Sequence, residues 1–193
     1  MKSDLKVYAV VSMLAVFAMA AQAGTMMSRG ASCDVNVGGQ PMMAAKDIVD
    51  NAVNSADHTT LVAAVKAAGL VETLKGKGPF TVFAPTNDAF THLPAGTVET
   101  LLKPENKAAL TKVLTYHVVA GRFDAKALRG LIAKGGGAAT LKTVSGGTLT
   151  AMMNGPSNIV VRDEGGHTAN ISTYDVFQSN GVIHVLDRVV LPN

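Results

Sequence analysis

The sequence is poor in the residues that build covalent links, stacking surfaces and strongly charged patches. It has no tryptophan and one cysteine, and only 16% of its 193 residues are charged and 5% aromatic. With Cys33 alone, no disulfide can form within the chain, so packing and hydrogen bonds have to hold the core. The few aromatic residues and a formal net charge of only +3 argue against a nucleic-acid-binding surface. We therefore expect no nucleic-acid partner.

No residue pattern in the sequence matches a common metal site or catalytic site. The histidines, His58, His92, His117, His167 and His184, lack the closely spaced histidine or cysteine partners of structural zinc sites. The chain also lacks a Gly-x-Ser-x-Gly nucleophile motif and a phosphate loop that ends in Gly-Lys-Ser or Gly-Lys-Thr. We therefore predict no metal, no cofactor and no enzymatic activity.

The longest apolar run lies at the N-terminus. Lys2 and Lys6 lead into the run Val7–Ala20, and Ala21-Gln22-Ala23 supplies the small residues that signal peptidase requires. This pattern predicts a secretory signal peptide over residues 1–23, with an uncleaved membrane anchor as the alternative. No second run of spanning length follows, so we expect no transmembrane segment after cleavage and a secreted or periplasmic protein.

The residues after the predicted cleavage site have no sustained period. Residues 24–44 are rich in glycine, methionine, serine and alanine, which predicts a flexible N-terminal arm. Cys33 lies in this arm without a predicted role, although an exported thiol can also pair with a partner. The ordered domain is predicted over residues 45–193, a length that suits one domain with a sizeable core.

Helical periods dominate the first part of this domain, and strands dominate the second. Apolar residues at helical spacing predict helices over 47–53 and after Asp57, Pro94, Pro104 and Asp124. Strands are predicted at Phe80–Ala84, Tyr116–Gly121, Leu141–Val144, Thr148–Met152, Ile159–Arg162, Ala169–Phe177 and Val182–Leu191. This order predicts an α+β fold, with helices on one side of a mainly antiparallel sheet assembly.

Two turns have specific residue signals. Asn180-Gly181 is predicted to form the centre of a type I′ hairpin, because both central positions of that turn need positive φ. In the stretch TVFAPTNDAF, Pro85 ends a strand and Thr86 is predicted to cap a helix through the amide of Ala89. Asp88 complements the dipole of that helix. The spacing alone therefore indicates a structural joint between a strand and a helix.

Three stretches in this order resemble the fasciclin (FAS1) family. TVFAPTNDAF (Thr81–Phe90) resembles its first homology motif, YHVVAG (Tyr116–Gly121) its Tyr-His motif, and NGVIHVLDRVVLP (Asn180–Pro192) its second homology motif. The resemblance covers about residues 45–193. It implies a wedge of two mainly antiparallel β-sheets with helices packed over one side.

The resemblance also assigns roles to eight residues. It implies that the two homology motifs are neighbouring core elements, in which Thr86, Asp88, His184 and Asp187 make internal hydrogen bonds. Family members that support adhesion have this activity associated with the Tyr-His motif and with an Asp-Ile pair before the second homology motif. By position, the corresponding partner-binding residues are Tyr116, His117, Asp175 and Val176.

The residues themselves leave alternatives open for two of these positions. Histidine is intermediate in burial, so His117 could instead be a core residue whose ring satisfies backbone groups. Asp175 could instead be a solvated strand position before a hairpin. At position 176, this chain has valine where the family pair has isoleucine.

The resemblance implies an exported, non-enzymatic module that mediates adhesion or surface association. Its partner would be a cell-surface or matrix protein or a polysaccharide. Two other functions remain open: a small-molecule carrier or hydrolase that uses an apolar cleft between the sheets and the helices, and a structural envelope protein with weak self-association. The carrier hypothesis rests on the apolar content of 48% and on the frequency of pockets between layers.

Overall fold

The computed structural model describes residues 35–193; the predicted signal peptide, residues 24–34 and Cys33 lie outside this range. The helices are α1 (Ile48–Ala52), α2 (Thr59–Ala68), α3 (Val71–Leu74), α4 (Asn87–Thr91), α5 (Thr97–Leu102), α6 (Lys107–Tyr116) and α7 (Ala125–Lys134). The strands are β1 (Val35–Val37), β2 (Gln40–Met42), β3 (Phe80–Pro85), β4 (Val118–Ala120), β5 (Ala138–Lys142), β6 (Thr148–Asn154), β7 (Asn158–Arg162), β8 (Thr168–Gln178) and β9 (Gly181–Leu186). Helices dominate the first part of the domain and strands the second, as predicted, although β1, β2 and α3 were not predicted and Tyr116 ends a helix instead of beginning a strand.

Seven strands are hydrogen-bonded in the order β4-β3-β9-β8-β7-β6-β5. Every neighbouring pair is antiparallel except β3 and β9, which run parallel. Irregularities between Ile171 and Val176 bend β8, so its first residues pair with β7 and the remainder pairs with β9. The bend divides the series into two sheets. The two sheets also meet where the first and last strands of the order, β4 and β5, approach each other, because Val119 forms a bridge with Thr143.

The two parallel strands, β3 and β9, are buried on both faces. Val82 and Ile183 face an apolar cluster beneath the helices, whereas Phe83 and Leu186 face a second cluster between the sheets. A strand that is covered on both faces has to be apolar almost throughout, in contrast to the alternating pattern of a half-exposed strand. This requirement explains the continuous apolar runs in both homology motifs.

The helices cover the first cluster from one side. Leu61 and Val65 of α2 and Leu110 and Leu114 of α6 all lie in this cluster. Each is spaced by about one helical turn from its neighbour, which places it on a single face of its helix. The second cluster is closed by α7, which buries Leu128 and Ile132 against β5 and β6. The predicted α+β arrangement of helices over sheets is therefore present.

The predicted flexible arm is wrong for the described part of its range. Val35–Val37 and Gln40–Met42 form an antiparallel hairpin instead. Gly38 and Gly39 turn the chain with φ values of 61° and 73°, a region that glycine enters at little cost. Val37 and Met42 are buried in the first cluster. These long-range contacts hold the hairpin. Strands of this length are too short to show a period in the sequence.

The predicted type I′ turn at Asn180-Gly181 is also wrong. Gln178 stands opposite Gly181, so the turn consists of Ser179 and Asn180, and neither Asn180 nor Gly181 has positive φ. Asn180 instead accepts from the amide of Ile48 at 3.1 Å and donates to the carbonyl of Leu74 at 2.7 Å. Gly181 is required for space, because a Cβ there would overlap the carbonyl oxygen of Phe80.

We predict that Gly181→Ala destabilises the protein by about 1–3 kcal/mol, since the backbone of β3 cannot move away from the added methyl group. The matched control is Gly130→Ala, on the exposed side of α7, where nothing lies within 4 Å of the added Cβ. That substitution should stabilise the helix by about 0.5–1 kcal/mol. Urea unfolding of both variants measures the difference, and equal effects would contradict the close approach of β3 and β9.

Candidate functional site

Tyr116 lies in the last turn of α6 and is fully buried in the second cluster. Its hydroxyl donates to the carbonyl of Thr148 at 2.6 Å and accepts from the amide of Glu164 at 3.1 Å. Burial raises the pKa of this hydroxyl, which keeps it protonated and able to donate. Tyr116 therefore connects α6 to β6 and to the turn between β7 and β8.

His117 follows directly and is only 2% exposed. Its Nδ1 lies 2.8 Å from the carbonyl oxygen of Val113, and its Nε2 accepts from the amide of Val190 at 3.3 Å. A carbonyl only accepts, so the ring proton sits on Nδ1. Burial lowers the pKa of His117 to about 4, so the ring is neutral at neutral pH. The ring joins α6 to the last segment of the chain.

Asp175 and Val176 lie where β8 bends. Val176 is 1% exposed and pairs with Ile183 of β9. Asp175 is half-buried and has a φ of 57°, in the left-handed region that residues other than glycine seldom adopt. Its carboxylate accepts from the amide of Ala125 at 2.7 Å, the first residue of α7. Asp175 therefore fixes the start of α7 on the sheet.

His184 lies in the middle of β9 and is fully buried. Its Nε2 donates to the carbonyl of Phe123 at 2.8 Å, and its Nδ1 accepts from the amide of Asp175 at 3.4 Å. The ring also stacks on Phe83, with 5.7 Å between the ring centroids. Burial lowers the pKa of His184, so this ring too stays neutral near pH 7.

Three of the four residues expected to make internal hydrogen bonds do so. His184 bonds to Phe123 and Asp175, and Thr86 accepts from the amide of Ala89 at 3.3 Å, which is the predicted helix cap. Asp187 accepts from the backbone amide and the side-chain amide of Asn170, both at 2.7 Å. The expectation is wrong for Asp88, whose side chain is exposed and forms no hydrogen bond within residues 35–193.

The partner-binding residues need a correction. Tyr116, His117 and Val176 are buried, so their side chains cannot touch a partner while the domain is folded. Asp175 keeps some exposure, but its carboxylate is engaged by α7. Tyr116 packs in the second cluster and Val176 in the first, and His117 bonds to the last segment of the chain. The core interpretation of His117 is the one that the geometry supports.

Small apolar cavities lie between the helices and the sheet. The larger, of about 40 Å³, lies beneath α1 and α2, and a second of about 20 Å³ lies between α2, α5 and α6. Since a single water needs about 10–15 Å³ on this measure, neither cavity has room for a metabolite. The geometry therefore lends no support to a small-molecule carrier that uses this layer.

One serine–histidine contact bears on the hydrolase alternative. The hydroxyl of Ser55 lies 2.9 Å from Nδ1 of His58, but both residues are buried. His58 borders an apolar cavity of only about 10 Å³, which leaves no space for a substrate. This pair therefore belongs to the core, and burial lowers the pKa of His58.

The Fasciclin domain profile matches residues 56–192. The chain belongs to the fasciclin domain family. Protein sll1483 of Synechocystis is 49% identical over 149 residues, which are 77% of this chain and 74% of that protein. The cell surface glycolipoprotein MPB83 of Mycobacterium bovis is 31% identical over 185 residues, 91% of this chain and 76% of that protein.

A solved structure shares the fold of this fasciclin domain. The FAS1 domain pair of the insect cell adhesion molecule Fasciclin I matches with a TM-score of 0.66 at 18% sequence identity. The match covers 76% of this chain and 51% of that longer chain, so the domain spans about half of the pair. The predicted fasciclin wedge is confirmed.

In this fasciclin domain the three motifs form adjacent strands. The first and second homology motifs pair as β3 and β9, and the Tyr-His motif supplies β4 on the other side of β3. The motifs therefore form the frame of the domain. Among residues 35–193, none of the helices combines the length and apolarity needed to cross a bilayer. No group of three metal-ligating side chains occurs in the same range.

Asp163 is a buried polar residue that sequence reasoning missed. It is 5% exposed, and its carboxylate accepts from the amides of His167 at 2.8 Å and Leu191 at 3.1 Å. It therefore ties the turn between β7 and β8 to the end of the chain. The surrounding sequence DEGGH indicates a turn, but nothing in it indicates that this aspartate faces inward.

We predict that the free energy of unfolding falls as the pH drops from about 6.5 to about 4. His117 is neutral in the folded state down to its pKa of about 4, whereas an unfolded histidine takes up its proton near 6.5. The unfolded state therefore binds a proton first, and His117 alone accounts for a loss on the order of 3 kcal/mol. Urea unfolding across this pH range measures the effect.

The control is His117→Gln, whose amide keeps a donor and an acceptor but does not titrate. This variant should be less stable at pH 7 and should lose less stability on acidification. A remaining slope is expected from His58 and His184, whose pKa values burial also lowers. Identical slopes in the variant and the parent would rule out His117 as the titrating group.

We predict different costs for two substitutions of Asp175. Asp175→Ala removes the acceptor for the amide of Ala125 and leaves alanine in the left-handed region, with an expected loss of about 2 kcal/mol. Asp175→Asn keeps the acceptor and tolerates this conformation, so its loss should stay below about 1 kcal/mol. Urea unfolding at pH 7 compares them. Equal losses would show that the backbone conformation and the cap contribute little.

Proposed function

We propose that this fasciclin domain is an exported, non-enzymatic recognition module that mediates adhesion or association with a surface or matrix. Its relative MPB83 is a cell surface glycolipoprotein, and the same fold occurs in an insect cell adhesion molecule. The main observation behind the proposal is that the side chains of the motifs are buried and bonded within the domain. Because Tyr116, His117 and His184 are used internally, recognition falls to residues that remain exposed.

The exposed side of strands β5 to β8 offers such a surface. Thr150 stands opposite Thr140 on β5 and Arg162 on β7, and Arg162 stands opposite Thr168 on β8. Residues that stand opposite each other project from the same side of a sheet. We call this surface the outer sheet face, and it consists of Thr140, Lys142, Thr148, Thr150, Arg162 and Thr168.

The carboxylate of Glu164 accepts from the amide of Thr148 at the margin of the outer sheet face. The face itself is polar, and none of its six residues is acidic. Its residues are exposed, apart from the half-buried Thr150. Its two charged residues, Lys142 and Arg162, are both basic and exposed. Hydroxyl groups beside positive charges suit an acidic protein or glycan surface, which the charges would also attract from a distance.

We predict that Lys142→Glu with Arg162→Glu weakens binding to immobilised matrix proteins or acidic polysaccharides by about tenfold or more, because charge complementarity becomes repulsion. The matched control is Lys77→Glu with Lys103→Glu, which reverses two exposed lysines in the helical part. The control should bind like the parent. Surface plasmon resonance compares the proteins, and sedimentation separates binding from weak self-association.

The proposal fails if the parent protein binds none of these surfaces. Equal loss in both charge-reversed variants would show that net charge, and not the outer sheet face, governs binding. Circular dichroism of each variant establishes that it is folded before its binding is compared.

A further inference from the structure

We propose that a cleft bordered by His92, His167 and Arg188 binds a ligand that carries a carboxylate beside an apolar face. The cleft has a volume of about 310 Å³, at the lower end of the range of about 300–1,000 Å³ for small-molecule sites. It is far larger than the cavities beneath the helices. It includes none of the residues of the outer sheet face and does not rest on the proposed adhesion function.

The cleft lies just beyond the ends of the two parallel strands. Pro85 ends β3 and leads through α4 to His92, and Leu186 ends β9 two residues before Arg188. His167 comes from the turn before β8. Because β3 and β9 run parallel, the segments that follow them emerge at the same edge of the sheet. The pairing at the centre of the fold therefore brings residues distant in sequence to one opening.

The positive charge in the cleft is available to a ligand. Arg188 is exposed, and its guanidinium forms neither a hydrogen bond nor a salt bridge within residues 35–193. The preceding Asp187 forms no salt bridge with it, and the two carboxylate oxygens of Asp187 accept from Asn170 instead. A guanidinium offers paired donors that match the two oxygens of a carboxylate.

One wall of the cleft is held by a buried carboxylate. Asp163 accepts from the amides of His167 and Leu191, at 2.8 Å and 3.1 Å. Its Oδ1 also lies 3.4 Å from Nδ1 of His167, which turns that side of the imidazole toward the protein. The other ring nitrogen of His167, Nε2, is available to a ligand. His92, exposed at the end of α4, supplies a second imidazole that no described residue engages.

The rest of the cleft is apolar. Leu93, Pro94, Val189 and Leu191 line it together with Ala89. An arginine and two imidazoles above an aliphatic floor select an anion that also has an apolar side. A uronic acid residue has this chemistry, and so does a short aliphatic carboxylate. Both ligands carry a carboxylate, and they differ in the group attached to it.

The test is a titration of the full-length protein followed by amide NMR shifts, with sodium glucuronate and sodium hexanoate at constant ionic strength. Neutral glucose serves as the uncharged control. We expect saturable shifts concentrated at His92, Leu93, His167 and Arg188 with at least one carboxylate and none with glucose. Saturation by glucuronate identifies the ligand class as uronic acids, and saturation by hexanoate alone identifies it as aliphatic acids.

Arg188→Gln should weaken this binding by about tenfold, because the paired donors of the guanidinium are lost. The matched control is Arg162→Gln, which removes one positive charge from the outer sheet face and should leave the affinity unchanged. Shifts that scatter over the surface, fail to saturate, or persist unchanged in Arg188→Gln overturn the proposal. Loss of matrix binding in the variants of the outer sheet face leaves this result unaffected, so the two proposals fail separately.

Discussion

The parallel pairing of β3 with β9 is the constraint on which the rest of the structure depends. It joins Phe80–Pro85 to Gly181–Leu186, the second and third strands in the seven-strand order. Both strands are covered on both faces, so their backbone groups cannot turn to water and have to bond to neighbouring strands. One face of the pair supports the helices, and the other closes the space between the sheets. Loss of this pairing would expose both apolar clusters at once.

This constraint makes the buried side chains of the motifs unavailable for recognition. His117 and His184 serve as neutral rings that connect separate segments, and Asp175 holds the start of α7. Unpaired buried polar groups are costly, so these side chains are committed to the frame. Surfaces that the frame does not need remain open to partners. The outer sheet face and the cleft at Arg188 are two such surfaces. Both carry positive charge, but one is the side of a sheet and the other is a cleft, so they suit ligands of different size.

Local features of the fold could be predicted where neighbours in sequence decide them. The cap at Thr86 depends on an amide three residues away, and Asp124 caps α7 in the same way through the amide of Ala127. The hairpin turn after β8 could not be predicted, because its position follows from the register with β9. Gly181 has the residue type that a turn prefers, but the carbonyl of Phe80 is the reason that it must be glycine.

The sequence by itself determined the α+β fold class, the caps at Thr86 and Asp124, and the lack of a metal or nucleophile pattern, which follow from residue type or from spacing along the chain. The family followed from the likeness of three motifs. Only the tertiary structure decided that Tyr116 and Val176 are buried and that His92, His167 and Arg188 share one cleft. Burial and convergence depend on which distant segments pack together, and such contacts form only when the chain closes around its two apolar clusters.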